Sequence, residues 1–330
     1  MGKLRLSMAC SNYDRTRALL DGRVSVDGTD LNCLCLPVEE IFFRMLRHHE
    51  FDVSEMSLSS YVVSLFAENL RFIAIPVFLS RFFRHSCIFI HRDSGIGEPK
   101  DLIGKRVGVP EYQMTAGVWI RGMLSDEYGV PVSSVTYFRG GEEEPGRPEK
   151  LRLSLPPEIR IESIPKGNTL SRMLAAGEID VLYTARVPST FRNGSGSVRR
   201  LFADYQRVER DYYAKTRIFP IMHTVVIRRE VYDKSRWIAQ SLTKAFKKAQ
   251  EKAYDDLYDS GALSTMLPWL THYAEQTRAL MSPDFWPYGL ANNEHTLETF
   301  LRYSFEQGLS KRRLRVEDLF APETLESFKV

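Results

Sequence analysis

Apolar and polar positions alternate with a period of two over residues 3–9, KLRLSMA, and this predicts a β-strand. Ser11, Asn12 and Asp14 then open a helical stretch over Arg15–Leu20, which Gly22 closes. A second strand is expected over Asp30–Leu36, Pro37 ends it, and Val38–Arg47 carries the period of an amphipathic helix. Phe51–Val53 and Leu70–Pro76 read as further strands, with a helix over Ser57–Ala67 between them. This β-α-β rhythm points to a mostly parallel, buried sheet.

A second α/β unit follows. Residues 86–92, SCIFIHR, are strand-like and precede a change of character at Asp93-Ser94-Gly95. Lys105–Pro110, Val135–Phe138, Ile159–Ile164 and Ile179–Thr184 read as strands, Thr115–Leu124 and Leu170–Ala176 as helices, and Arg199–Phe202 as one more strand. The stretch 140–158, rich in Gly, Glu and Pro, reads as a surface loop or short hairpin. Met222–Ile227 is a strand with no helix partner of its own, and beyond it the pattern is helical over Trp237–Leu257, Leu263–Tyr273 and Glu294–Gln307. The expected organisation is a discontinuous lobe, 1–91 plus 223–330, with an inserted lobe, 92–222. Ser86–Arg92 and Met222–Ile227 are then neighbours at a hinge, and a ligand cleft lies at the C-terminal ends of the strands.

Composition narrows the function classes. The net charge of +3 over 330 residues is too small for a nucleic-acid-binding stripe. Arginines beside aromatic residues suit a small anionic ligand instead, since a guanidinium meets a carboxylate with two parallel hydrogen bonds. No apolar run is long enough to span a membrane, and MGKLRLSMA lacks the apolar core of a secretory leader, so a cytoplasmic location is expected. The four cysteines match no metal or redox spacing and read as reduced packing residues. Phosphate-loop, dinucleotide-binding, nucleophile-elbow and His-Glu-x-x-His motifs are all absent.

Four segments crowd polar residues at the ends of predicted strands. SEMSLSSY carries Glu55, Ser57 and Ser59 into a helix start, although a plain N-cap would also use Ser57. FLSRFFRHS brings Arg81, Phe82, Arg84 and His85 together, matching an aromatic ring with carboxylates, or else a loop of packed Phe and solvated Arg. GVPEYQMTA offers Glu111, Gln113 and Thr115 at another helix start. RIFPIMH ends on His223, which a cleft or an ordinary core would equally accept.

SEMSLSSY, PVFLSRFFRHS, GKRVGVPEYQMTA and IFPIMH, together with GGEEEPGRPEK, MLAAGEIDVL and YGLANNEHTLETFLRYSFEQGL, resemble the characteristic stretches of the 4,5-dihydroxyphthalate decarboxylase family over nearly the whole chain. The resemblance implies a two-lobed α/β fold of the periplasmic-binding-protein type (type II). It also implies non-oxidative loss of one carboxylate from a hydroxylated aromatic dicarboxylate in phthalate degradation. A solute-binding protein for an aromatic acid is the alternative reading. The partner implied is the small aromatic dicarboxylate, with no cofactor, metal, nucleic acid or membrane; a homo-oligomer and the exact ring substitution stay open. The chemistry needs a proton donor, read as His223 or His85, and a base or orienting carboxylate, read as Glu55 or Glu111. Arg81, Arg84 and Arg186 are the expected carboxylate clamps, Phe82 a ring contact, and Ser57, Ser59, Gln113 and Thr115 hydrogen-bond partners. The chain departs from the expected family pattern at Arg217, where Gly would be expected.

Overall fold

The computed structural model of the chain describes residues 2–194 and 196–325. The alternating N-terminal run forms β1 (Leu4–Cys10), with Leu6 and Met8 buried and Arg5 exposed. The chain continues through α1 (Asp14–Leu20), β2 (Thr29–Cys35), α2 (Val38–His48), β3 (Val53–Ser57), α3 (Leu58–Ser64) and β4 (Phe72–Arg81). Next come β5 (Ile88–His91), β6 (Arg106–Val109), α4 (Thr115–Tyr128), β7 (Thr136–Arg139), β8 (Arg160–Ser163), α5 (Leu170–Ala175), β9 (Val181–Tyr183), α6 (Ser189–Arg192), β10 (Val198–Arg200) and α7 (Tyr205–Thr216). The chain closes with β11 (Ile221–Arg228), α8 (Arg229–Lys234), α9 (Ile238–Asp256), α10 (Leu270–Leu280) and α11 (Glu294–Glu306).

The described residues group into two compact units. The first holds the chain up to Arg81, Ile221–Glu298 and the segment from Leu314; the second holds Phe82–Pro220 and Thr299–Arg313. The sheet of the first unit runs β2-β1-β3-β11-β4, with β1 parallel to β2 and β3, and β11 antiparallel to β3 and β4. Its core joins Val53, Ile75, Val225 and Ile227 of the strands to Leu242 and Phe246 of α9. The sheet of the second unit runs β10-β5-β9-β6-β7-β8, with β5 antiparallel to both neighbours and β6, β7, β8 and β9 mutually parallel. Phe89 and Leu182 there pack with Leu170 and Leu174 of α5. Among the described residues no helix is long and apolar enough to cross a membrane.

Three expectations need correction. β11 does not neighbour the strand expected over 86–92: its partners are β3 and β4, and β5 belongs to the other sheet. The reason lies in β4, which continues through Pro76 to Arg81 as an almost wholly buried strand. Proline removes one ladder donor, and β4 tolerates it because it is an edge strand. Residues 82–91, expected with the first lobe, group with the second unit. The helix expected over 263–273 begins only at Leu270, because Pro268 cannot sit inside it.

Candidate active site

Glu55 is the central residue of β3, and all five residues of that strand are buried because it runs between β1 and β11. A carboxylate in such a place is costly unless hydrogen bonds replace its water. Three groups do so: the Tyr13 hydroxyl donates to Oε1 at 2.7 Å, the Ser11 amide donates to Oε2 at 3.1 Å, and His223 Nδ1 lies 2.6 Å from Oε1. Burial pushes this carboxyl up, but the hydrogen bond and charge of His223, with the bonds from Tyr13 and Ser11, outweigh it and hold Glu55 below its ordinary value. An ionised acceptor places a proton on Nδ1 of the facing imidazole.

His223 reaches that carboxylate through strand register. Across β3 and β11, His223 opposes Ser57 and Val225 opposes Glu55, so Glu55 and His223 are diagonal neighbours. On its other side the β11–β4 register shifts both before and after His223. Irregularities of this kind re-aim a side chain and recur beside active sites. Phe42 of α2 meets the imidazole edge-on with centroids 4.9 Å apart. The His223 side chain keeps 16% of its surface exposed, and among the described residues Nε2 makes no hydrogen bond. The result is an imidazole oriented through one nitrogen by a buried carboxylate and open at the other.

Other expected residues of the first unit are structural where they stand. Ser57 accepts a hydrogen bond from the Ser60 amide at 3.5 Å, the N-cap arrangement, and Ser59 is buried in the first turn of α3. Arg81 ends β4, donates to Pro287 O at 2.8 Å and to Asn293 Oδ1, and lies 5.2 Å from the Phe78 ring. Its guanidinium secures the 287–293 segment.

In the second unit Glu111 is fully buried after β6, and Oε1 accepts from Arg147 Nε at 2.8 Å and from Lys150. It is the anionic centre of an ion cluster. Gln113 donates to Glu149 Oε2 at 2.9 Å and to Leu151 O at 3.1 Å, and Thr115 is the buried first residue of α4. Arg84 lies 4.9 Å from the ring of Phe82, which is half-exposed, and its Nη1 approaches Cys87 Sγ at 3.5 Å. Arg186 is exposed just beyond β9, its amide donating to Thr184 Oγ1 at 3.0 Å.

His85 lies in the second unit. It is wholly buried against the rings of Tyr128, Phe202 and Tyr212, and among the described residues neither ring nitrogen has a hydrogen-bond partner. Burial pushes it down to about 4, which favours the neutral ring at neutral pH. Sequence reasoning missed Tyr13, Arg147, Lys150 and Glu142. Tyr13 could have been found, since it sits in a polar run directly after a strand. The other three lie in the stretch taken for a surface loop, yet Glu142 is buried and accepts a hydrogen bond from Thr184. Among the described residues no three His, Cys, Asp or Glu side chains are grouped to hold a metal ion.

The chain matches no protein-family model. It is 45% identical over 330 residues, spanning all of both chains, to the 4,5-dihydroxyphthalate decarboxylase of Comamonas testosteroni. It is 49% identical over 213 residues, 64% of this chain and 83% of the other, to the enzyme of the same name from Pseudomonas putida. Among solved structures it is similar to the periplasmic sulfonate-binding protein SsuA of Methylobacillus flagellatus KT, with a TM-score of 0.55 and 14% identity, covering 98% of this chain and 94% of that one. The last likeness shows the fold: the α/β architecture of the periplasmic solute-binding proteins, as the sequence led one to expect.

Proposed function

The chain belongs to the 4,5-dihydroxyphthalate decarboxylase family, and from that premise we propose that it converts 4,5-dihydroxyphthalate to protocatechuate and carbon dioxide, in the cytoplasm, as a step of phthalate breakdown. The observation that carries this reading is the Glu55–His223 pair, an imidazole held through Nδ1 by a buried carboxylate and read here as the proton donor.

In this substrate each carboxylate is para to a ring hydroxyl. The hydroxyl gives its proton to solvent, to be taken back once carbon dioxide has left, and the phenolate so formed pushes an electron pair onto the carbon that bears the carboxylate. His223 delivers the Nε2 proton to that carbon, giving a quinoid intermediate, and becomes a neutral ring that keeps its Nδ1 proton on Glu55. The bond to the carboxylate then breaks, its electron pair restores aromaticity, and carbon dioxide leaves. Solvent returns the proton to Nε2. Glu55 orients the imidazole and stabilises its charged form before transfer.

The test is incubation of the purified protein with 4,5-dihydroxyphthalate, following carbon dioxide and protocatechuate by chromatography. His223→Asn is expected to lower kcat by about 10²–10⁴-fold with little change in KM. No product from the wild-type protein would remove the reading, and near wild-type turnover in His223→Asn would move the proton donor elsewhere.

A further inference from the structure

Tyr13 belongs to none of the roles above, yet its hydroxyl meets the same carboxylate oxygen as His223 does. Both donate to Glu55 Oε1, at 2.7 Å and 2.6 Å, while Oε2 is left to the Ser11 amide. A carboxylate oxygen that accepts one strong hydrogen bond has less charge to offer a second donor. We infer that Tyr13 is a positioning and tuning residue: by sharing Oε1 it limits how strongly Glu55 holds the charged His223 ring, and so lets Nε2 release its proton more readily. The inference rests on the reading of His223 as the proton donor.

The surroundings keep this hydroxyl in place. Tyr13 is the N-cap residue of α1, and the Arg15 guanidinium covers its ring at 4.1 Å. Arg15 is held in turn over the Trp286 ring at 4.3 Å and by its Nε donating to Leu79 O at 2.6 Å. The phenol therefore cannot swing away without breaking that stack. It also remains a donor, because burial and the neighbouring charge of Glu55 push it far above its ordinary value.

The other titratable and charged groups coupled to this cluster are Cys10, Asp14, Arg15, Arg81 and Tyr288. Burial raises Cys10 and Tyr288, so both stay neutral. Asp14 and Arg15 pair with each other at 2.9 Å, and Arg81 carries its charge throughout. Tyr13 is thus the group whose removal changes the acceptor strength of Glu55 without changing the charge of the cluster.

The experiment compares wild type with Tyr13→Phe in two ways. One is the titration of the His223 ring by NMR on histidine-labelled protein, the signal assigned by its loss in His223→Asn. The other is the pH dependence of decarboxylation. In Tyr13→Phe the titration midpoint and the alkaline limb of the rate profile should both move to higher pH by about 0.5–1 unit, with KM within about twofold of wild type. A purely structural role would move neither. A midpoint that stays or falls overturns the inference, whatever the activity. A midpoint that rises while His223→Asn keeps full turnover leaves the tuning in place and removes His223 as the acid. Should Tyr13→Phe fail to fold, 3-fluorotyrosine at position 13 keeps the hydroxyl, donates more strongly, and should move the midpoint the opposite way; no movement there also overturns it.

Discussion

Lys150 donates its ammonium to the fully buried carboxylate of Glu111, and Arg147 binds the same oxygen from the half-buried side. Burial pushes Lys150 below its ordinary value, and the charge of Glu111 offsets only part of that. The pair therefore pins a Gly- and Pro-rich segment with no regular structure onto the end of β6.

Breaking a buried ion pair leaves one charge without its partner, at a cost of about 3–5 kcal/mol. Lys150→Met should sit near the lower end of that range, because Arg147 stays on Glu111. Urea unfolding followed by circular dichroism measures it. The double variant Glu111→Met with Lys150→Met should recover part of the loss, since it removes the most deeply buried pair but takes the carboxylate from Arg147. Equal stability of wild type and Lys150→Met would show that the cluster holds nothing in place.

This segment is also where the sequence was least legible. GGEEEPGRPEK has the composition of a solvated loop, and no period marks its buried positions. Its inward fold depends on Gly141, where a Cβ would meet Glu144 O at 1.6 Å, and on ion pairs whose partners lie about 40 residues away in sequence. Composition cannot report such distant pairing. The strands of the first unit were legible because alternation and apolar runs are local signals. Glu55 and His223 were found because each lies in a polar cluster beside a predicted strand, but their meeting depends on the register between β3 and β11, which no local pattern reports. Arg217, noted as a departure from glycine, closes α7 with a φ of 59°, the left-handed position that favours glycine.

Two of the arginines expected as clamps differ in their surroundings, Arg186 being exposed and Arg81 buried. Arg186→Met should raise KM for the dicarboxylate by about 10- to 150-fold and leave unfolding unchanged, because a hydrogen-bonded charge contributes roughly 1.5–3 kcal/mol. Arg81→Met should instead lower stability, having lost its bonds to Pro287 and Asn293. Steady-state kinetics beside denaturant titration distinguishes them, and an exchange of the two phenotypes would reverse the assignment.

His85 makes stability depend on pH. Its ring is pushed down from its ordinary 6.5 to about 4 by burial, so the unfolded chain binds a proton at a pH where the folded one does not. That stability is fully present above about pH 6.5 and is lost as pH falls toward 4. The full loss is on the order of 3 kcal/mol. His85→Phe fits the same aromatic surroundings and has no proton to take up. The variant should therefore lose less stability than wild type over this window, read from urea midpoints at successive pH values. Parallel curves for the two proteins would mean that His85 does not govern the acid side.

The source of the proton gives the last expectation. Carbon must receive a hydron when the carboxylate leaves, and His223, the proposed donor, has a partly exposed side chain through which Nε2 can exchange with solvent between turnovers. Reaction in deuterated water should therefore give product with one deuterium, at the vacated ring position alone, as mass spectrometry and proton NMR would record. A ring hydroxyl para to the carboxylate supplies the electron pair, so the protein has to provide only the acid and its orientation. Exhaustive chelation before the assay should accordingly leave the rate unchanged. Deuterium at other ring positions would mean that protonation is reversible and unselective. A rate restored only by an added divalent ion would mean that the electron push is not the ring's own. With Glu55→Gln, the imidazole loses the charge that holds its proton, and deuterium incorporation should slow in step with carbon dioxide release. If the two processes separate in that variant, protonation and bond cleavage are governed by different groups.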